Sequence, residues 1–262
     1  MVLDLRLVDA FTDRPFAGNP AAVAIMAAFP PEPLMQAVAA ELNLPETAFV
    51  VARHDGAFDL RWFTPTVEVD LCGHATLASL HVLLTELAVP GPEANFQTRS
   101  GLLSGRRSRD GTLGIDLPRS RVEPVDPSAL AGALGEIEEL YQAGSQNLLA
   151  VVRDYDTLCG LAVDPVSLFL APGSLVIAAC AGAPGADVAI RVFAPRLGVA
   201  EDPVTGSALC AVAPWWAERT GAPTIVVRQA SARGGLMYAR LFERHVEVAG
   251  YARTFLSGEV RA

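Results

Sequence analysis

The chain contains no lysine, and all twenty of its basic residues are arginine. No Schiff base to a carbonyl substrate or to pyridoxal phosphate can therefore form on a lysine, and a Walker-type phosphate loop is excluded. Cysteine is sparse. Cys72, Cys159, Cys180 and Cys210 form no C-x-x-C pair, so neither a redox motif nor a structural zinc site is expected. The four histidines are scattered, and His74 and His81 lie seven apart without the i, i+4 spacing of a metal pair. No metal is expected, because a catalytic zinc needs about three protein ligands. Long apolar runs are also missing. The longest, residues 168–183, is broken by Pro172, Gly173 and Gly182 and is too short to span a bilayer. Asp4 and Arg6 follow Met1 almost at once, so no signal peptide is visible and a cytoplasmic location is expected. There is no basic stripe, and the net charge of −9 argues against nucleic acid as a partner.

What is present is a repeat. Arg61-Trp-Phe-Thr-Pro65 leads through Glu68 and Asp70 to Cys72-Gly-His-Ala-Thr76. About 130 residues later, Arg191-Val-Phe-Ala-Pro195 leads through Glu201 and Asp202 to Thr205-Gly-Ser-Ala208. Each copy reads as a short strand, a proline, an acidic loop, and a glycine opening an apolar run of helical length. The 262 residues are enough for two domains of about 130 residues each. Duplication implies two similar halves whose helix N-termini face a common cleft. A helix start suits an anion, since its first N–H groups are unpaired and carry partial positive charge.

Periodicity places strands at residues 3–10, 21–27 and 59–63 and a helix over 31–42, with Pro at its start. Residues 75–87 are apolar almost all round, the pattern of a helix enclosed on most sides. Further strands are read at 96–98 and 111–117. The Pro- and charge-containing stretch 118–127 reads as a linker. In the second half, a helix is expected over 128–134, strands over 147–153 and 174–179, and a helix over 207–220 that Pro214 kinks. Strands near Thr224, Met237 and Glu247 follow, and the last strand is placed to cross back and close the first sheet. The halves are residues 1–118, completed by about 250–262, and residues 119–249.

Glu46 stands between Pro45 and a strand that turns apolar at once. A carboxylate entering such surroundings loses solvation and becomes suited to acid–base work. The same spacing fits a turn glutamate in water. His74 follows Gly73 at the first helix start, where it would face the cleft, although a core histidine would read alike. Asp202 lies in the matching loop as a cap or a cleft residue. Ser207 is a cap-like residue whose hydroxyl could also hold a carboxylate. Cys72 fits a buried, inert thiol at least as well as a reactive one. A serine hydrolase is weakly supported, because the flanks Thr205-Gly-Ser-Ala208 are not a G-x-S-x-G elbow.

Taken together, the segments Asp9 to Pro20, Leu44 to Phe49, Leu71 to Thr76 and Glu201 to Ala208 resemble the phenazine-biosynthesis-like isomerase family, in order and nearly end to end. The resemblance implies the α+β, diaminopimelate-epimerase-like fold: two pseudosymmetric halves, each a curved, barrel-like mixed sheet around a central helix, with the active site between them. It implies a cofactor-independent isomerase that moves a proton on a small carboxylate-bearing substrate, working as a homodimer. Glu46 is then the acid/base, with His74, Asp202 and Ser207 as companions. Gly73 and Gly206 stand at the carboxylate-binding helix starts, and Asn19, Ala75, Thr76 and Thr205 join them in binding substrate. Two other readings stay open: a member of the fold that binds a small molecule or protein without turnover, and a racemase or epimerase using Cys72. Epimerases of this fold use one thiol per half, and here the second loop offers Asp202 and Ser207, with Cys210 a turn inside its helix.

Overall fold

A computed structural model describes residues 2–130 and 132–261. The chain divides into two compact units, Met1–Asp116 with Ala249–Ala262, and Leu117–Val248. In the first unit the elements are β1 (Val2–Ala10), β2 (Asn19–Met26), α1 (Glu32–Leu42), β3 (Glu46–Ala52), β4 (Phe58–Phe63), β5 (Glu68–Val69), α2 (Gly73–His81), β6 (Glu93–Thr98), β7 (Gly101–Arg107) and β8 (Leu113–Pro118). β1 pairs antiparallel with β2, β2 parallel with β3, β3 antiparallel with β4, β4 parallel with β6, and β6 antiparallel with β7. The C-terminal strand Ala252–Arg261 returns to pair antiparallel with β1.

All nine residues of α2 are buried. The helix packs on β1, β2, β3, β7 and the C-terminal strand, which explains why its sequence has no polar face. Beyond His81 it widens into a π-type turn, Val82–Glu86, rather than continuing as the expected α-helix, and Arg107 Nη1 donates to the Leu84 carbonyl at 2.6 Å. α1 covers the other face. Met35, Val38 and Ala39 meet Leu3, Leu5, Ala22, Ala24, Phe49 and Phe63 in a core cluster, with Phe49 and Phe63 edge to face at 5.5 Å. Asn43 ends α1 in the left-handed conformation, φ 50°.

The second unit holds β9 (Val122–Val125), β10 (Glu139–Ala143), β11 (Asn147–Val151), α3 (Tyr155–Cys159), α4 (Pro165–Leu170), β12 (Leu175–Ala183), β13 (Ala186–Ala194), β14 (Val199–Asp202), α5 (Leu209–Thr220), β15 (Thr224–Gln229), β16 (Gly235–Leu241) and β17 (His245–Gly250). From β10 onward its pairings repeat those of the first unit: antiparallel, parallel, antiparallel, parallel, antiparallel. The short β14 lies against β13 as β5 lies against β4. The duplication seen in the sequence is thus a duplication of strand topology.

Four local expectations need correction. The stretch expected to be a linker contains β9, an edge strand paired with β10, whose exposed Pro and charges suit an edge. The expected 128–134 helix shrinks to a 3₁₀ turn, Pro127–Leu130, and position 131 lies outside the described residues. The expected 207–220 helix begins as a 3₁₀ turn, Gly206–Ala208, before α5. α3 and α4 were not anticipated. α5 continues through Pro214, which has no N–H for the Cys210 carbonyl. The Ser120 N–H takes that carbonyl instead, at 3.0 Å, so no acceptor is left open.

Candidate functional site

Asn19 and Glu46 are the first residues of two neighbouring parallel strands, with Ala21 opposite Glu46. The loop before Asn19 is held tightly. The Asp9 carboxylate accepts the Phe16 N–H at 2.9 Å, and Thr12 N–H donates to Tyr251 O at 3.0 Å. Gly18 has φ 69°, and a Cβ there would lie 2.1 Å from the Ala10 carbonyl oxygen, so only glycine fits. The position of Asn19 is therefore fixed by backbone geometry.

His74 is the second residue of α2, and Cys72 is its N-cap, with extended backbone and no side-chain capping bond. His74 Nε2 lies 3.0 Å from a Glu46 carboxylate oxygen. The oxygen stands off the N–H direction, which makes the contact ionic rather than a hydrogen bond. On the other side of the ring, Nδ1 is 3.3 Å from the Asn19 amide and 3.5 Å from Cys72 Sγ. His74 and Cys72 are 5% exposed and Asn19 is fully buried, whereas the Glu46 side chain keeps 18% of its surface. A buried imidazole thus stands between a buried thiol and a carboxylate that reaches solvent.

Burial pushes the His74 pKa down, but Cys72 and Glu46 on either side outweigh it and hold the ring well above the usual histidine value. Burial, aided by the Glu46 charge, pushes the Cys72 thiol up. A raised native pKa means that His74 contributes stability fully below its unfolded value of about 6.5 and loses that contribution as pH rises through the native value. The stability advantage of wild type over His74→Asn is expected to shrink from about pH 6.5 upward. Urea unfolding of both proteins across pH measures it, and an advantage that grows with pH would contradict the assignment.

Glu46, Cys72 and His74 carry donor atoms within 4.8 Å of one another, a cluster that the linear spacing of histidines and cysteines did not reveal. The carboxylate and thiol approach opposite ring nitrogens.

In the second unit, Asp202 closes β14, opposite Val192, and its carboxylate accepts from the Thr205 hydroxyl. Thr205 N–H donates to Gln229 Oε1 at 2.8 Å, and Gln229 Nε2 donates to the Asp202 carbonyl at 2.6 Å. Gln229 is fully buried and ties β15 to the loop that carries Asp202. Sequence reasoning missed this role, since a polar residue at a strand end carries no signal of its partner. Asp202 is therefore not a plain helix cap. Ser207 lies inside the 3₁₀ turn rather than at the cap position, which Thr205 holds. Gly206 is buried, and Ser207 is half-buried. Cys210 is buried in α5, its thiol pushed up to about 12 by desolvation.

The repeated motif also hides a repeated ion pair. Arg61 donates Nε and Nη2 to Glu68 at 2.7 and 2.5 Å. Arg191 does the same to Glu201, both at 2.8 Å. Each pair ties the β4 or β13 strand to the acidic loop leading to the helix.

Comparison with known proteins places these features in a group. A family model described as phenazine biosynthesis-like protein matches residues 8–258. An uncharacterized isomerase of Pseudomonas aeruginosa is 45% identical over 259 residues, covering 98% of each chain. The crystal structure of a phenazine biosynthesis protein of the PhzF family from Enterococcus faecalis superposes with a TM-score of 0.92 at 37% identity, covering both chains fully. A hydroxyproline epimerase from Agrobacterium vitis shares the fold, with a TM-score of 0.70 at 15% identity over 99% of this chain and 92% of that one. No helix among the described residues is long and apolar enough to cross a membrane.

Proposed function

The chain belongs to the phenazine biosynthesis-like family of isomerases, and we propose that it shifts a proton on a small carboxylate-bearing substrate by acid–base catalysis, without a cofactor. The observation that carries this reading is the Glu46–His74 contact of 3.0 Å at the start of a buried helix. Glu46 takes a proton from one substrate carbon. The electron pair left behind spreads over the neighbouring unsaturated system, and the same carboxyl group returns the proton at another carbon. Nothing is oxidised or reduced, so no further reactant enters. The imidazolium of His74 stabilises the carboxylate form before the first transfer and after the second, and Glu46 is the neutral acid between them.

The first N–H groups of α2, from Gly73 through Ala75, supply donors for the substrate carboxylate. Asn19 and Thr76 hold the lining of that end in place: Asn19 meets the His74 ring, and the Thr76 hydroxyl donates to the Cys72 carbonyl. In this reading Asp202, Thr205, Gly206 and Ser207 act on the same molecule. Asp202 orients an amine or hydroxyl, and Ser207 and the Gly206 N–H add donors to the carboxylate.

Proton exchange into substrate in deuterated water, followed by NMR over a panel of small amino and aromatic carboxylates, tests the reading. Glu46-dependent deuterium uptake supports it. Binding of panel members with no exchange on any of them would replace it by a non-catalytic binding role. The racemase reading draws on the Cys72–His74 contact, but a second thiol would have to be Cys210, whose raised pKa and burial oppose it. Inactivation by a thiol reagent that substrate prevents would restore it. The working form in this proposal is a homodimer, and sedimentation as a monomer at micromolar concentration would contradict that.

A further inference from the structure

The two Arg–Glu pairs of the repeat have different surroundings. In the first unit the pair is finished by the chain's own charges. Arg61 Nη2 donates not only to Glu68 but also to the Glu32 carboxylate of α1, at 2.6 Å. On the far side, Arg99 Nη2 lies 2.6 Å from Glu68. One extra carboxylate on the arginine and one extra cation on the glutamate complete the set. Arg61 also lies over the rings of Phe29 and Phe63.

In the second unit the place of the long α1 is taken by the short α3 and α4, and neither addition is made among the described residues. Arg191 spends Nε and one Nη2 hydrogen on Glu201, and its Nη1 donates to the Leu158 and Leu161 carbonyls at 3.3 and 3.4 Å. The second Nη2 hydrogen, which meets Glu32 in the other copy, has no counterpart acceptor among the described residues. Beside the pair lies a cavity of about 340 Å³, a volume in the range of small-molecule sites. Leu168 and Phe193 are its buried lining, Val163, Pro165 and Pro195 its walls, and Ala200 stands at its rim. The wall is fixed, because Arg196 Nε donates to the Phe169 carbonyl at the end of α4, at 2.8 Å. Successive side chains of a strand point to opposite faces, so Glu201 turns away from Asp202 and the cavity is separate from the loop described above.

We propose that this cavity binds a free apolar α-amino acid. Its carboxylate takes the Arg191 Nη2 position that Glu32 fills on Arg61. Its ammonium takes the Glu201 position that Arg99 fills on Glu68. Its side chain lies against Leu168, Phe193 and Pro165. A zwitterion supplies both missing charges at once and keeps the net charge of the site unchanged, which a simple carboxylic acid or amine does not. The site lies wholly in the second unit and does not depend on Glu46 or on the isomerase reading.

Isothermal titration of the full chain with L-leucine and L-phenylalanine tests it, with N-acetyl-leucine, leucinamide and serine as probes lacking the ammonium, the carboxylate and the apolar side chain. Both apolar amino acids are expected to bind, and loss of either head group or of the side chain to weaken binding about tenfold or more. Glu46→Gln should bind as wild type does, and Pro165→Trp, which fills the cavity from its exposed wall, should not. Nuclear Overhauser contacts from the leucine methyls to the Phe193 ring give the same reading in unaltered protein. Absence of binding, equal affinity for N-acetyl-leucine, survival of binding in a folded Pro165→Trp, or its loss in Glu46→Gln would each overturn the proposal.

Discussion

Glu46→Gln is expected to lower deuterium exchange into substrate by about 10³-fold, within the range that a positioned acid or base supplies, while the fold and ligand binding stay close to wild type. The amide matches the carboxylate in size and can still approach the His74 ring, so packing at the start of β3 is kept. It cannot accept and return a proton. The negative charge beside the imidazole also goes, and the His74 pKa should fall, because Glu46 is one of the groups holding it up. Two readouts therefore move together: exchange collapses, and the His74 ring signals titrate at lower pH. Retention of most of the exchange would remove Glu46 from the mechanism. A fall in exchange with an unchanged His74 titration would mean that the 3.0 Å contact does not govern the ring.

Glu68→Ala is expected to be the most damaging single change to stability outside the apolar core. The Glu68 side chain is 6% exposed and meets two guanidiniums, Arg61 and Arg99, which are 22% and 49% exposed. Its removal leaves two cations side by side with only Glu32 between them. Breaking a buried pair by removing one partner costs about 3–5 kcal/mol, and the half-exposed Arg99 argues for the lower end, about 3 kcal/mol. For a chain of this size that lowers the melting temperature by about 6–12 °C. Asp55→Ala removes an ion pair of similar appearance, Arg53 with Asp55, but Asp55 is 60% exposed, and its midpoint should not move. Calorimetry of the two variants side by side separates these cases. An equal, small shift in both would show that the Glu68 cluster is effectively solvated.

Much of the architecture was legible because period and composition agreed. The alternation of residues 3–10 gave β1, and the all-round apolar stretch after Gly73 gave an enclosed helix. The repeated Arg…Pro…Glu…Gly pattern gave two similar halves. The elements that escaped have physical reasons. In β7 one of the two buried positions is Gly105, where a Cβ would come within 2.9 Å of Leu80 on α2. A side chain there would crowd Leu80, and glycine erases the alternation that would reveal a strand. The helices α3 and α4 are five and six residues long, too short for a 3.6-residue period to register. Their caps were the available signal. Asp154 accepts the Thr157 N–H, and Asp164 precedes Pro165 and accepts from Val166 and Ser167. In the site, Glu46 and His74 could each be nominated from local surroundings. Their contact could not, since it depends on the β2–β3 register and on where α2 begins. Gln229 was invisible for the same reason: its partners lie 24 and 27 residues back along the chain.

The return of the C-terminal strand Ala252–Arg261 to β1 has a temporal side. A ribosome delivers β1 long before Ala252–Arg261, so one edge of β1 waits for its neighbour while all the residues between them are made. The second unit, Leu117–Val248, is an uninterrupted segment and has all of its strands before that moment. Folding during synthesis is therefore biased towards the later-encoded unit finishing first. Until that strand emerges, β1 presents an unpaired edge, with the aggregation hazard that such an edge carries. The charges at Asp4 and Arg6 along that strand, both within its pairing with Ala252–Arg261, give the waiting edge some protection.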